Sequence, residues 1–250
     1  MELIVTIIGI VLTIAVSGPV LAWLGRLWRA WRSRQRWSAD LQVEGGVISR
    51  REHYAFEFWD ERIDVDADGG ADHAIDARVV NIGATLLSHA DFPVYCDAQN
   101  VPEDAIQPWA KSGKRTLPVE VKDWIPERTR GRIRITFSPP VLPAGKCRFH
   151  WGFRLPYTFH AGDEYYNWDV SSPHYQIGGE IAFNSNWAIS YARYSEALNV
   201  TQVAPVIDGN VIRWKVQFPK TAERITLQFG LENRSCEKKA LTNKTYAAEG

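Results

Sequence analysis

From about residue 40 to residue 232 the sequence alternates apolar and polar residues with period two, which confines the chain to strands with one buried and one wetted face. In RIRITF, Ile133, Ile135 and Phe137 share one side, and Arg132, Arg134 and Thr136 share the other. In VIRWKVQF, Ile212, Trp214, Val216 and Phe218 alternate with Arg213, Lys215 and Gln217, and RITLQFGL does the same with Ile225, Leu227, Phe229 and Leu231. Upstream, REHYAFEFWDERIDVD and HAIDARVV are joined through Asp68-Gly69-Gly70, a hairpin signal because glycine takes positive φ at no steric cost. This pattern predicts a mainly β domain, an antiparallel β-sandwich or barrel of about eight to nine strands. The 11 Trp, 9 Tyr and 10 Phe suffice to fill its core. The proline-rich, charged stretch between Asp97 and Gly131 reads as an excursion from that core.

A second feature precedes the strands. Leu3 to Leu24 holds 22 residues without a charge, long enough as a helix to cross a hydrocarbon layer of about 30 Å. Only Met1 and Glu2 come before it, whereas Arg26, Arg29, Arg32, Arg34 and Arg36 follow with Trp23, Trp28 and Trp31. This charge order is the reverse of a cleaved signal peptide's, and it predicts a single-pass anchor in the inner (cell) membrane with the N-terminus outside and the β domain in the cytoplasm. Arginines and tryptophans at that position suit contact with lipid headgroups. Within the run, Gly9, Thr13 and Ser17 recur every four residues, a small-residue face on which two anchors can pack. The expected layout is a transmembrane helix over 1–25, a basic collar over 26–38, the β domain over 39–232 and a polar tail over 233–250.

With five arginines and one glutamate before residue 38, the remaining 24 basic and 28 acidic residues leave the β domain at a formal charge of −4. That balance argues against binding long nucleic acid, which needs a basic surface. Cys96, Cys147 and Cys236 are an odd, widely spaced set that fits reduced thiols in a cytoplasmic domain, although Asn199, Asn233 and Asn243 begin glycosylation sequons.

Asp64, Asp66, Asp68, Gly69 and Asp72 imitate the front of a calcium loop, but Ile75 stands where the bidentate glutamate belongs, so a solvated hairpin is expected. Cys147, His150, His160 and His174 are the residue types of a zinc site. Strand alternation, however, puts Cys147 and His150 on opposite faces, and no metal is expected. No nucleophile elbow, phosphate loop or dinucleotide fingerprint occurs, so neither catalytic residues nor a cofactor are expected. A recognition surface is the remaining candidate: Arg154, Tyr157, His160, Tyr165, Tyr166, Trp168 and Tyr175 are the kinds of side chain that stack on a base or hold a phosphate or carboxylate. Alternation alone would put half of those aromatics in the core, and that alternative stays open.

In layout, with an apolar N-terminal run, a Trp/Arg collar over residues 26–37 and a β-rich domain, the chain resembles the membrane-anchored β-domain effectors of bacterial anti-phage (CBASS-like) defence. The resemblance implies a non-enzymatic sensor of a small nucleotide or a protein partner, whose anchors self-associate and perturb the membrane. A structural subunit or assembly factor of a membrane complex and a membrane-bound hydrolase are the alternatives.

Overall fold

A computed structural model describes residues 20–29, 31–32, 34–36, 53–96, 98, 100–195, 202–219 and 224–233. Fourteen strands occur among them: β1 (Tyr54–Val65), β2 (Ala71–Asn81), β3 (Leu87–Tyr95), β4 (Trp109–Ser112), β5 (Arg115–Thr116), β6 (Val119–Ile125), β7 (Arg130–Val141), β8 (Lys146–Leu155), β9 (Gly162–Asp169), β10 (Gln176–Phe183), β11 (Trp187–Tyr194), β12 (Gln202–Asp208), β13 (Val211–Gln217) and β14 (Arg224–Asn233). The protein is mainly β, as expected, but has more strands than the eight or nine predicted. They form one eight-stranded sheet in the order β12-β13-β10-β1-β2-β8-β4-β5 and two three-stranded sheets, β11-β14-β9 and β3-β7-β6, with no closed barrel.

Two departures from the expected pattern have simple causes. β1 and β10 pair in parallel inside an otherwise antiparallel sheet, a connection between distant segments that periodicity does not report. The stretch from 97 to 131 is not wholly an excursion. It supplies β4 and β5 to the edge of the large sheet and β6 to the edge of a small one, and buries Val101, Ile106, Ala110 and Leu117. Short edge strands interrupted by Gly113 and Pro118 carry too few residues for alternation to stand out.

The strands predicted from alternation bury the faces assigned to them: Ile133, Ile135 and Phe137 on β7, Ile212, Trp214 and Val216 on β13, and Ile225, Leu227, Phe229 and Leu231 on β14. The β1–β2 hairpin also forms as expected, with Asp66 Oδ1 accepting from the backbone N–H of Asp68 and Gly70. In β1 the register shifts between Phe56 and Phe58. This bulge resets the alternation, so Phe56 and Trp59 both point inward while Phe58 lies outside beneath Arg78 and Arg148.

One continuous core joins all three sheets. Trp59 of β1 meets Phe92 of β3 and Trp168 of β9, each with ring centroids 5.4 Å apart, so both small sheets cover the same face of the large one. Their facing edges are β3 and β9, which share no ladder. A seam therefore runs between them, bridged at its outer end by the Tyr95 hydroxyl donating to Asp169 Oδ2 at 3.3 Å.

Residues 20–29, 31–32 and 34–36 are helical, with Trp23, Trp28 and Trp31 exposed and Arg32 5.1 Å from the Trp28 ring centroid. No helix among the described residues is long and apolar enough to cross a membrane. Leu3 to Pro19, with Gly9, Thr13 and Ser17, lies outside the described residues, as does the tail from 234 to 250.

Candidate functional site

The inward alternation of β1 runs Trp59, Glu61, Ile63, Val65, and that of β2 runs Ala71, His73, Ile75, Ala77. One carboxylate and one imidazole thus fall in otherwise apolar registers. Ile63 pairs across from His73 and Glu61 from Ile75, which makes Glu61 and His73 diagonal neighbours on the buried face. His73 Nδ1 lies 2.7 Å from Glu61 Oε1, and the Tyr166 hydroxyl of β9 donates to Glu61 Oε2 at 2.6 Å. With Glu61 as a carboxylate, which only accepts, His73 Nδ1 carries the ring proton. Burial first, and then the Glu61 charge, push the Tyr166 hydroxyl well above the ordinary phenol range. The His73 ring stacks on Phe153 of β8 at 4.4 Å, which fixes its plane.

A second histidine sits on the segment leaving β9. His174 is 1% exposed, stacks on Phe56 at 4.7 Å and packs edge-on against Trp168 at 5.0 Å. Its Nδ1 lies 2.6 Å from the Ser172 carbonyl, which only accepts, so Nδ1 carries the proton and Nε2 is a lone pair. Burial lowers its pKa to about 3, against which the Ser172 carbonyl acts only weakly, and the ring is neutral at neutral pH.

These groups meet in the seam, around a cavity of about 90 Å³ walled by Phe56, Trp59, Phe92, Trp151, Phe153 and Trp168. Its exposed lining residues, Pro93, Tyr95 and Ser171, mark the mouth. Among the described residues, five buried side-chain polar atoms have no hydrogen-bond partner: Trp59 Nε1, His73 Nε2, Trp151 Nε1, Ser172 Oγ and His174 Nε2. All five belong to residues lining this one cavity. A buried polar group without a partner costs about 1–3 kcal/mol, so five in one place set the seam apart from the rest of the core. A guest able to pair with them recovers that cost.

The other large concavity, about 760 Å³, lies on the opposite face of the eight-stranded sheet. Trp109 walls one end and Val203 and Val206 the other, over a floor where Asp60, Asp76 and Glu180 alternate with Arg62, Arg213 and Lys215. Here the charges pair: Arg148 with Asp76, Arg62 with Glu180 at 3.0 Å, and Arg213 with Asp208 at 2.8 Å. Among the described residues Asp60 has no side-chain hydrogen bond, its nearest charges being Asp76, Glu180 and Lys215. Burial, then Asp76 and Glu180, raise its carboxyl above the usual range.

The seven residues expected to form a recognition surface do not converge. Alternation along β9 sends Tyr166 and Trp168 into the seam and leaves Tyr165 outside, where it accepts from Gln228 Nε2. Arg154 faces outward on β8, bound to Asp66 and Asp72 at 2.6 Å each. Tyr157 and His160 are exposed on the loop before β9, and Tyr175 packs with Phe218 in a separate small cluster. The zinc residue types also stay apart: no group of three His, Cys, Asp or Glu able to hold a metal occurs among the described residues. The hairpin aspartates are engaged by backbone N–H groups and by Arg154. What sequence reasoning missed was Glu61 and His73 together with Trp59, Trp151 and Ser172, and it weighed His174 only as a zinc ligand. For Glu61 and His73 the signal was present as ionisable residues in the inward register of two paired strands.

No protein-family model matches the sequence, and no curated protein matches it either. Among solved structures, a putative protease from Parabacteroides distasonis aligns over 71% of this chain and 40% of its own, at 7% identity and a TM-score of 0.41. An M1 zinc metallopeptidase from Deinococcus radiodurans aligns over 73% and 43%, at 11% identity and a TM-score of 0.43. Yeast LTA4 hydrolase aligns over 76% and 32%, at 9% identity and a TM-score of 0.43. The chain spans less than half the length of these structures, and likeness at this level assigns neither a family nor an activity.

Proposed function

We propose that this chain is a small-molecule-binding module held at a membrane, with its binding site in the seam between the two small sheets. One observation carries the reading: all five buried, unpartnered polar side-chain atoms among the described residues belong to residues that line that single aromatic-walled cavity. Ligand sites take this form, apolar walls with a few polar groups, and the rest of the core among the described residues has no other unpartnered buried side-chain polar atom. The apolar run from Leu3 to Leu24 and the arginines behind it support the membrane tether and a cytoplasmic β domain. A sensing effector of the anti-phage type fits the same layout, with ligand capture in the seam biasing association of the anchors through Gly9, Thr13 and Ser17.

A ligand-observed NMR screen of compact fragments against the full-length chain in detergent micelles tests the binding reading. Fragments that bind are expected to compete with one another and to shift the indole signals of Trp59 and Trp151. Binding that leaves those signals unmoved overturns it. Replacing Gly9, Thr13 and Ser17 with leucine is expected to abolish cross-linked oligomers; unchanged cross-linking reduces the run to a plain tether.

A second reading, a membrane-bound hydrolase, is favoured by the Glu61–His73 pair, since a carboxylate-held imidazole is how a general base is oriented. Turnover of ester or amide probes that disappears in His73→Gln would establish it; absence of turnover by the wild-type chain removes it.

A further inference from the structure

The polarity of the orphaned atoms says what kind of guest completes the seam. Trp59 Nε1 and Trp151 Nε1 are N–H groups that only donate, so the guest must accept. His174 Nδ1 is committed to the Ser172 carbonyl and His73 Nδ1 to Glu61, so both unpartnered Nε2 atoms need a donor, and Ser172 Oγ serves in either sense. An anion satisfies the indoles but meets the His174 lone pair and the Glu61 carboxylate. A cation suits those two and the aromatic faces, yet leaves two buried indole N–H groups without an acceptor. An uncharged group with both a donor and an acceptor satisfies both sets.

Size narrows the class further. A dry cavity of about 150 Å³ holds a six-carbon ring, so the seam's volume of about 90 Å³ admits roughly four heavy atoms. We infer that the seam binds an uncharged carboxamide or ureido group, its carbonyl oxygen accepting from the indoles of Trp59 and Trp151 and its N–H donating to His174 Nε2. This rests on reading the seam as a binding cavity. The guest is either a free small molecule or the end of a longer one that leaves between Tyr95 and Ser171.

The test uses acetamide, acetate and acetamidinium, which share one shape and differ in charge, titrated into the full-length chain in detergent micelles with ¹⁵N-labelled indoles. Trp59→Phe and Trp151→Phe assign the two signals. Acetamide is expected to shift both and to bind about tenfold more tightly than either ion, the effect of one buried hydrogen bond left unmade. N-acetylglutamine methylamide then separates the sources: a further tenfold gain identifies a chain-borne carboxamide, and no gain identifies a free molecule, with the class upheld in both cases. If acetate or acetamidinium equals or exceeds acetamide at these signals, the class is overturned while the seam remains a binding cavity. If none of the four compounds moves either signal, the seam holds ordered water only, and both the class and the cavity reading fall.

Discussion

On the outer face of the eight-stranded sheet, Asp76 faces Arg148, Glu180 faces Arg62 and Arg213, and Asp72 faces Arg154, all with substantial exposure to water. On the inner face of the same strands, Glu61 and His73 and, across the seam, His174 are buried among aromatic rings with Tyr166 half-buried beside them, and the Nε2 atoms of both histidines find no protein partner. The same alternation that separates polar from apolar residues along each strand placed these few groups on the wrong side of it. Outside, ion pairs are screened, individually weak and satisfied by one another. Inside, every polar atom either has a specific partner or carries a full desolvation cost, and such groups persist where they serve a site. Charge density therefore misdirects attention to the outer face, where most of the charges lie and few atoms are left unsatisfied.

The contrast should be most visible when Glu61 is removed. Glu61→Ala takes the shared acceptor from His73 Nδ1 and the Tyr166 hydroxyl, leaving two donors unpaired, and a loss of about 2–5 kcal/mol is expected in urea unfolding. A loss below 1 kcal/mol would make the inner pair no different from the outer ones and break the comparison.

Acidity should separate the faces next. Because burial holds the His174 pKa at about 3 when folded, the unfolded chain alone takes up that proton as pH falls from 6.5. Stability is thus present above pH 6.5 and falls by about tenfold in the folding constant per pH unit between pH 6.5 and 4.5, an interval above most outer-face carboxylates. Among the described residues no charge acts appreciably on the ring to offset this: Glu61, His73 and Asp169 share the cavity, but the shift comes from burial and the Ser172 carbonyl, and the ring's aromatic neighbours are Phe56, Trp59 and Trp168. Denaturant midpoints measured across that interval check it, and His174→Gln should flatten the slope by one proton.

Tyr166→Phe should cost about 2 kcal/mol through its lost bond to a buried carboxylate. It should also remove a pH dependence of the opposite sign. The raised folded pKa means stability present below pH 10 is lost as pH rises through and beyond it, because the unfolded phenol ionises first. The smallest effect belongs to the outer face, where Arg148→Ala should change stability by less than about 1 kcal/mol, and by less still in 1 M salt.

Much of the architecture could be read from particular residues. Ile133, Ile135 and Phe137 in β7 and Ile225, Leu227 and Phe229 in β14 named their buried faces because each strand has one wet side and one dry. The parallel pairing of β1 with β10 could not be read, since it joins residues more than a hundred positions apart. The site was half legible. Tyr166 and Trp168 were among the residues singled out, but local aromatic density grouped them with Tyr165, Tyr157 and Tyr175, which the alternation of β9 and the surrounding loops send elsewhere. Their real companions, Glu61 and His73, lie a hundred residues upstream and are joined to them only by the packing of β9 across β1 and β2.

A crystal structure of the full-length chain, purified without extraction of bound small molecules and refined at a resolution that resolves the seam, tests the central claim most directly. The account predicts ordered polar density within hydrogen-bond distance of Trp59 Nε1, Trp151 Nε1 and His174 Nε2. It is contradicted if the seam is collapsed and dry, with those three atoms paired to protein groups.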